Sequence, residues 1–261
     1  MTAKTAEDRL RYVRSFSHVL RTGDAQSLLQ LSPDKRIHAM KALSCLARFT
    51  GCQDTWRQIR QRYGLTWTTG TEKLDAFMRF FDDSKSLDKM LQWLREAISQ
   101  LPAQYSRFLL FCALTGLRAS ETVNCISLIK ADLHSYYNED RQCLEHFRFA
   151  NLFIRRTKAA YISLVDKSII EIAQSIDKIP TLNSLKMASR NRCLSMQLKY
   201  CRKIFASWLR QSGGIEAEIV DLLQGRVPKS VFTRHYFTPD ASYQSRVLSA
   251  LNGLKTKIEQ T

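Results

Sequence analysis

Apolar residues recur at intervals of three and four positions along most of the chain, a spacing that predicts a mainly helical protein. In the first helix, Thr5 and Asp8 can form a capping box before an apolar face that ends at Gly23. A second helix should begin at Pro33, a favoured first helical residue, and end at Gly51. The first third of the chain is therefore expected to be a small helical domain.

A third helix, over residues 54–64, carries a basic surface. Arg57, Arg60 and Arg62 lie in it among aromatic side chains. Cations interleaved with aromatic rings suit contacts with a nucleic-acid backbone. We therefore expect this helix to contact phosphates.

A polar stretch at residues 82–86 is the best candidate for a domain boundary. It follows a further helical segment that is predicted to extend to about residue 81. Beyond the boundary, helices are predicted at 86–99 and 102–114, and the chain is expected to be helical again from residue 166 onward.

Two strands interrupt this helical pattern. Phe, Ile, Tyr and Val partly alternate with polar residues over 145–156 and 159–165. Alternation of this kind is typical of half-buried strands. The sequence therefore predicts a β-hairpin with a tight turn at Thr157-Lys158.

The composition indicates a globular chain with a polyanionic partner. Its 261 residues are 44% hydrophobic, enough to bury a sizeable core. Lys and Arg number 40 against 24 Asp and Glu, a formal charge of +16, and between Asp177 and Glu216 eight basic residues occur without an acidic one. Self-repulsion of this size is most simply explained by binding to nucleic acid, with an anionic membrane as the alternative.

Several functional classes lack their signals in this sequence. The longest apolar run, Phe108 to Leu114, is far shorter than the ~20 residues of a membrane span, so we expect a soluble cytosolic protein. The seven scattered cysteines are expected to be reduced thiols, without zinc or disulfides. Phosphate-binding loops, zinc-protease motifs and acidic groups suited to two Mg²⁺ ions are missing. Any phosphoryl chemistry should therefore use cationic side chains, with no cofactor.

Exchange of one phosphodiester for another is a reaction that cationic side chains can support without a cofactor, because it requires neither ATP nor metal. The charge that develops on phosphorus calls for arginine and lysine donors held in place beforehand. The leaving 5′ oxygen needs a proton, and the nucleophile must hold the phosphate covalently. A tyrosine can do so if surrounding positive charge activates it.

Candidate residues for this chemistry occur in several short segments of the C-terminal part of the chain. The first segment, Thr115-Gly-Leu-Arg118-Ala-Ser-Glu121, closely resembles the one that carries the first catalytic arginine of tyrosine recombinases, the integrase family. Lys158, in the predicted hairpin, stands where the family keeps its catalytic lysine. This resemblance covers roughly residues 86–257 and extends more loosely to the N-terminal helices.

The second half of the resemblance contains the nucleophile. Lys199-Tyr-Cys-Arg202 stands where most members have His-x-x-Arg, and the segment from Leu222 to Arg226 resembles the Leu-Leu-Gly-His that follows. Tyr236 falls ten residues after Arg226, close to the spacing of the family's nucleophile.

Two departures from the family pattern make the sequence similar to integrases of archaeal spindle-shaped viruses. Lys199 replaces the usual histidine, and Arg226 replaces the second His or Trp after a one-residue insertion at Gln224. Because no imidazole occupies the usual places, the group that assists Tyr236 stays open.

The resemblance implies a mainly α fold of the DNA breaking-rejoining type. Its parts would be a helical core-binding domain at 1–84 and a catalytic domain at 85–261 with a small antiparallel β-hairpin or sheet. The apolar stripe of a C-terminal helix at about 240–257 would dock on a neighbouring protomer, and plain packing on the parent domain is the alternative.

The resemblance also implies a role for each site residue. Arg118 and Arg202 would clamp the non-bridging oxygens of the scissile phosphate. Tyr236 would attack phosphorus to give a 3′-phosphotyrosyl link, and Lys158 would protonate the departing 5′ oxygen.

Lys199 and Arg226 would add positive charge, and Glu121 would orient its neighbours. Tyr243 is a rival nucleophile, whereas His235 is disfavoured as a base because adjacent helix residues point apart.

Each of these positions also has a purely structural interpretation. Arg118 could simply pair with Glu121, and Lys158 could be a solvated charge. Arg202 could be an arginine at the edge of the core, and Tyr236 could be a packed aromatic.

The implied function is a site-specific recombinase that integrates or excises a mobile element at double-stranded attachment sites. Four copies would assemble on two duplexes from free monomers or dimers, in the nucleoid of a prokaryotic, archaeal cell. A chromosome-dimer resolvase or type IB-like topoisomerase, and a non-catalytic DNA-binding protein of the same fold, remain alternatives.

Overall fold

The computed structural model describes residues 3–68, 74, 77–78, 86–155, 158–226, 238, 240 and 242–260. The chain divides into two compact units, Met1–Asp82 and Asp83–Thr261. None of the helices in these described stretches is long and apolar enough to cross a membrane.

The described part of the N-terminal unit is helical: α1 (Ala3–Phe16), α2 (His18–Thr22), α3 (Gln26–Leu29), α4 (Pro33–Phe49) and α5 (Gln53–Arg62). Helices α1 and α4 pack together, and Met40, Leu43 and Trp56 are buried between the helices of this unit.

Local sequence signals predicted some of these helix ends correctly. Pro33 is the first residue of α4, and Gly23 ends α2 in the left-handed conformation that favours glycine, with φ 75°. The predicted capping box is wrong, because α1 begins at Ala3, before Thr5. The helical segment predicted up to about residue 81 lies outside the described residues except at 74 and 77–78.

Ten α-helices lie in the described part of the C-terminal unit: α6 (Leu87–Gln100), α7 (Ala103–Thr115), α8 (Ala119–Ala131), α9 (Leu133–Tyr136), α10 (Ala150–Phe153), α11 (Lys167–Gln174), α12 (Leu182–Arg190), α13 (Lys199–Gln211), α14 (Ala217–Leu223) and α15 (Tyr243–Glu259). Helix α7 lies at the centre, and α6, α11, α13 and α15 pack against it. Every side chain from Phe108 to Leu117 other than glycine is buried, as expected for a helix that is apolar on all sides.

Five two-residue strands accompany these helices: β1 (Tyr137–Asn138), β2 (Cys143–Leu144), β3 (Ile154–Arg155), β4 (Lys158–Ala159) and β5 (Ser163–Leu164). Strands β1, β2 and β5 form an antiparallel sheet in that order, and β3 pairs with β4. The predicted fold class, mainly α with a small antiparallel sheet, is confirmed.

The predicted strand over 145–156 is wrong for most of its length. Residues His146–Phe149 form a 3₁₀ helix, and α10 follows directly. Side chains of His146, Phe149 and Phe153 face the core, and their spacing of three and four positions is helical. Lys158 opens strand β4 instead of lying in the turn, and residues 156–157 lie outside the described part of the chain.

A buried histidine connects this region to the sheet. His146 is fully buried, with Nδ1 hydrogen-bonded to the hydroxyl of Tyr136 and Nε2 2.8 Å from the hydroxyl of Ser163. Burial lowers the pKa of His146 to about 3. The imidazole is therefore neutral at physiological pH, with one nitrogen donating and the other accepting.

The C-terminal helix packs on its own domain. Val247, Leu248, Leu251 and Leu254, which form its apolar stripe, are buried against α6, α7, α13 and β5. In the structure of the single chain this stripe packs on the parent domain, and docking on a neighbouring protomer, which the sequence favoured, stays a prediction. The physical reason for the packing is that the central helix α7 leaves an apolar surface that this stripe covers.

Candidate active site

Arg118 stands at the junction between α7 and α8. Gly116 ends α7 in a left-handed conformation, with φ 63°, and Arg118 is the N-cap residue of α8. A Cβ atom on Gly116 would lie 2.5 Å from the ring of Phe205, so only glycine fits this close approach. The Thr-Gly-Leu-Arg segment therefore forms a tight turn that fixes the backbone position of Arg118.

A buried carboxylate holds Arg118 in place. Glu121 is 1% exposed; its Oε2 accepts from the backbone N–H of Arg118 at 3.0 Å and its Oε1 from Arg118 Nη1 at 2.8 Å. Arg155 Nη2 donates to the same Oε1 at 2.8 Å. Arg118 Nη1 also donates to the carbonyl oxygen of Ala159 at 3.2 Å, which connects the turn to strand β4.

Arg202, on α13, ties three segments together through main-chain carbonyls. Its Nη1 donates to the carbonyl oxygen of Gly116 at 2.7 Å, and its Nη2 donates to that of Gln224. Gln224 returns the contact, since its buried side-chain amide donates to the carbonyl oxygen of Arg202 at 2.9 Å. The end of α14 is therefore held against α13 at the level of Arg202.

Arg202 lies in a strongly positive environment. Burial and the nearby charges of Arg118 and Arg226 lower the pKa of Arg202 to about 10, and Glu121 partly offsets this effect. The guanidinium stays protonated at neutral pH. Its environment therefore favours an anion, which would relieve both the desolvation and the repulsion.

Four of the predicted site residues line a single cavity of about 440 Å³. Arg118, Lys199, Arg202 and Arg226 share it with Lys203, and the remaining lining residues are Leu117, Ala119, Leu198, Ala206, Ser207 and Gln224. Among these described residues none is acidic. The exposed Arg226 forms an ion pair with Asp221 at 2.8 Å.

Lys158 lies beside this cavity without lining it. Its side chain is exposed on strand β4, and the next residue, Ala159, accepts the hydrogen bond from Arg118. Gly225, with φ 68°, packs on the same strand so closely that a Cβ atom would lie 1.9 Å from the carbonyl oxygen of Ala159. Strand β4 is thus clamped between Arg118 and the residue that precedes Arg226.

Tyr236 and His235 lie outside the described residues. The rival nucleophile, Tyr243, is the first residue of α15, half-buried against the core, and it is not among the residues that line the cavity. The structure therefore gives Tyr243 no place among the gathered cations.

Three contributors to this site were not predicted from the sequence. Lys203 lies four residues after Lys199 on α13, a spacing that places both on one helix face and could have been noticed. Gln224 was taken only as an insertion. The contact of Arg155 with Glu121 had no signal in the sequence, since it joins residues 34 positions apart.

The model of one protein family matches this part of the chain. That family is described as archaeal phage integrase, and the match covers residues 85–242, more than half of the 261 residues. All six predicted site residues fall inside the matched segment. No curated protein and no solved structure matches the chain significantly.

Gly225→Ala should destabilise the C-terminal unit more than Gly214→Ala. Both glycines have positive φ, 68° and 61°, but only Gly225 meets backbone atoms, and nothing lies within 4 Å of a Cβ atom on Gly214. Both variants should lose about 1–2 kcal/mol to backbone strain, and Gly225→Ala should lose a further ~1–3 kcal/mol because strand β4 must move. Urea unfolding of the two variants measures the difference, and equal losses would contradict the described packing.

Proposed function

Because the chain belongs to the archaeal phage integrase family, which gives it a role in the site-specific integration of DNA, we propose that it cuts and rejoins DNA through a 3′-phosphotyrosyl intermediate at Tyr236. The observation that carries this proposal is the cavity where Arg118, Lys199, Arg202 and Arg226 converge. Cations gathered in this way suit the charge that develops on a phosphate under attack.

Arg118 and Arg202 would clamp the two non-bridging oxygens of the scissile phosphate. A guanidinium has five N–H donors. The side-chain hydrogen bonds of Arg118 go to Glu121 and Ala159, and those of Arg202 go to Gly116 and Gln224. Contacts with the described residues thus use two donors of each arginine and leave three for a phosphate, and an arginine held in this way has the preorganisation that such catalysis needs.

The remaining groups would supply the nucleophile, the proton for the leaving group and further positive charge. Tyr236 would form the bond to phosphorus as the bond to the 5′ oxygen breaks, and Lys158 would give that oxygen its proton. Lys199 and Arg226 would stabilise the phenolate and the transition state electrostatically. A 5′ hydroxyl of the partner duplex would then attack the phosphotyrosine, so that each phosphodiester lost is replaced by another.

Exchange between two duplexes requires several active sites on one assembly. We propose that four protomers gather on two attachment sites, as the sequence suggested. Because the stripe of α15 is buried in its own domain, contacts between protomers through this stripe would require α15 to leave that domain.

The N-terminal unit supplies a second basic concavity that suits the DNA backbone. A cavity of about 550 Å³ in this unit is lined by five cations, Arg9, Lys41, Arg48, Arg57 and Arg60, and by Trp56 and Trp67 among others. Arg60 stacks over the ring of Trp67 at 5.2 Å. We propose that this surface holds phosphates of the attachment site and contributes to affinity rather than to chemistry.

Replacement of Tyr236 tests the proposed chemistry directly. The substrate is a duplex that spans the junction between the element carrying the gene and its host chromosome, nicked near the cleavage position so that the covalent adduct accumulates. We expect the native chain, without added Mg²⁺, to give a protein-DNA adduct that survives detergent, because the phosphotyrosyl bond is covalent. Tyr236→Phe should give none.

Tyr243→Phe is the matched control for this experiment and should leave the adduct intact, since Tyr243 does not line the cavity. An adduct that persists in Tyr236→Phe, or one that disappears only in Tyr243→Phe, would exclude Tyr236 as the nucleophile.

Lys41→Gln should weaken the salt dependence of binding to the same duplex. Lys41 lines the N-terminal cavity, whereas Lys35 lies on the same helix without lining it. Loss of one phosphate contact should reduce the slope of log K against log salt by about 0.9. Fluorescence anisotropy over a salt series measures this slope, and Lys35→Gln serves as the control. Equal slopes in the two variants would place the phosphate contacts elsewhere.

A further inference from the structure

Arg155 shares the buried carboxylate of Glu121 with Arg118. The Nη2 of Arg155 and the Nη1 of Arg118 each donate to Glu121 Oε1 at 2.8 Å. The Arg155 side chain is 45% exposed, whereas that of Glu121 is 1% exposed. One carboxylate therefore joins strand β3, which carries Arg155, to the start of α8.

Strand β3 in turn affects where Lys158 lies. Arg155 and Lys158 are direct partners across the antiparallel pair β3–β4. The Cβ atoms of such partners are about 4.5–5.5 Å apart, and like charges in these positions repel each other. The bond to Glu121, whose single negative charge is shared with Arg118, offsets part of the charge of Arg155 and holds its side chain on the same carboxylate oxygen as that of Arg118.

The hairpin of β3 and β4 is too short to fix itself. Each strand has two residues, and within the described residues the pair does not join the three-stranded sheet. Isolated two-stranded hairpins are marginally stable in water. Contacts with the domain therefore hold the hairpin in place: Gly225 and Arg118 contact Ala159 on strand β4, and the bond from Arg155 to Glu121 holds strand β3.

We propose that Arg155 is a positioning residue which, through Glu121, fixes Lys158 relative to Arg118. This inference rests on the proposed function. In that reaction Tyr236, having released its phenolic proton to solvent, attacks phosphorus, and the bond from phosphorus to the 5′ oxygen breaks. The ammonium of Lys158 gives its proton to that oxygen and regains one from solvent. Displacement of the hairpin would move the proton donor without removing any group that contacts the phosphate.

A substrate whose leaving group needs no proton isolates this role. In a junction duplex with sulfur in place of the bridging 5′ oxygen, the leaving group is a thiolate, which is far less basic than an alkoxide (the thiol of cysteine has a pKa of about 8.5) and departs without a proton donor. We expect Arg155→Ala to form the adduct roughly 10- to 100-fold more slowly than the native chain on the oxygen duplex. On the sulfur duplex the two rates should agree within about threefold, and Lys158→Ala should show the same selective recovery.

Arg148→Ala is the matched control, because Arg148 also pairs with a buried carboxylate, Glu145, in the same domain. It should leave the rates on both duplexes unchanged. Arg155→Lys keeps a cation that can donate to Glu121, and it should restore most of the rate on the oxygen duplex.

Two kinds of outcome would overturn this proposal. If Arg155→Ala also slows adduct formation on the sulfur duplex, or if it weakens DNA binding and leaves the maximal rate unchanged, Arg155 has a structural or DNA-binding role instead. Absence of any adduct from the native chain, or an undiminished adduct in Tyr236→Phe, would instead remove the proposed function and this inference with it.

Discussion

Repulsion among like charges is the constraint on which the site depends. Two unit charges about 4 Å apart interact by ~4 kcal/mol at the effective dielectric constant of a protein surface. Three arginines and two lysines nevertheless line one cavity of the C-terminal unit. The carboxylate of Glu121 and several main-chain carbonyls accept hydrogen bonds from the guanidinium groups and hold them in place despite this repulsion. The remaining repulsion makes an anion a favourable occupant of the cavity.

The fold supplies these acceptors through close approaches of the backbone. Gly116 lets the turn after α7 lie against Phe205, and Gly225 lets the end of α14 lie against strand β4. Arg202 then reaches carbonyl oxygens at both places. The same backbone contacts that build the core of the domain thus also set the directions of the arginines.

Local signals predicted the parts of this arrangement that depend on neighbouring residues. The end of α7 and the pairing of Arg118 with Glu121 depend on residues only a few positions apart, and the sequence indicated both. The helical stretch from His146 to Phe153 was mistaken for a strand, because its aromatic residues satisfy a partial alternation as well as the three- and four-residue spacing. Sequence periodicity alone does not separate the two cases over so short a segment.

Contacts between distant segments were beyond the reach of the sequence. The reciprocal hydrogen bonds between Arg202 and Gln224 and the bond from Arg155 to Glu121 depend on tertiary packing that no local pattern encodes. The order of the cationic residues along the chain still indicated the family, because proteins that share a fold keep their site residues in the same order. It did not indicate which acceptors hold each guanidinium.

In the proposed reaction, Arg118 and Arg202 act on the charge of a single phosphate. This role can be tested by measuring adduct formation by the native chain and Arg202→Ala on two junction duplexes, one of them with a methyl group in place of a non-bridging oxygen at the scissile phosphate. On the charged phosphate, loss of Arg202 should slow the reaction by about 10²–10³-fold. On the uncharged methylphosphonate, replacement of Arg202 should slow the reaction by roughly tenfold or less, since less negative charge develops for the arginine to stabilise. Equal losses of rate on both duplexes would show that Arg202 does not act on the charge of the phosphate.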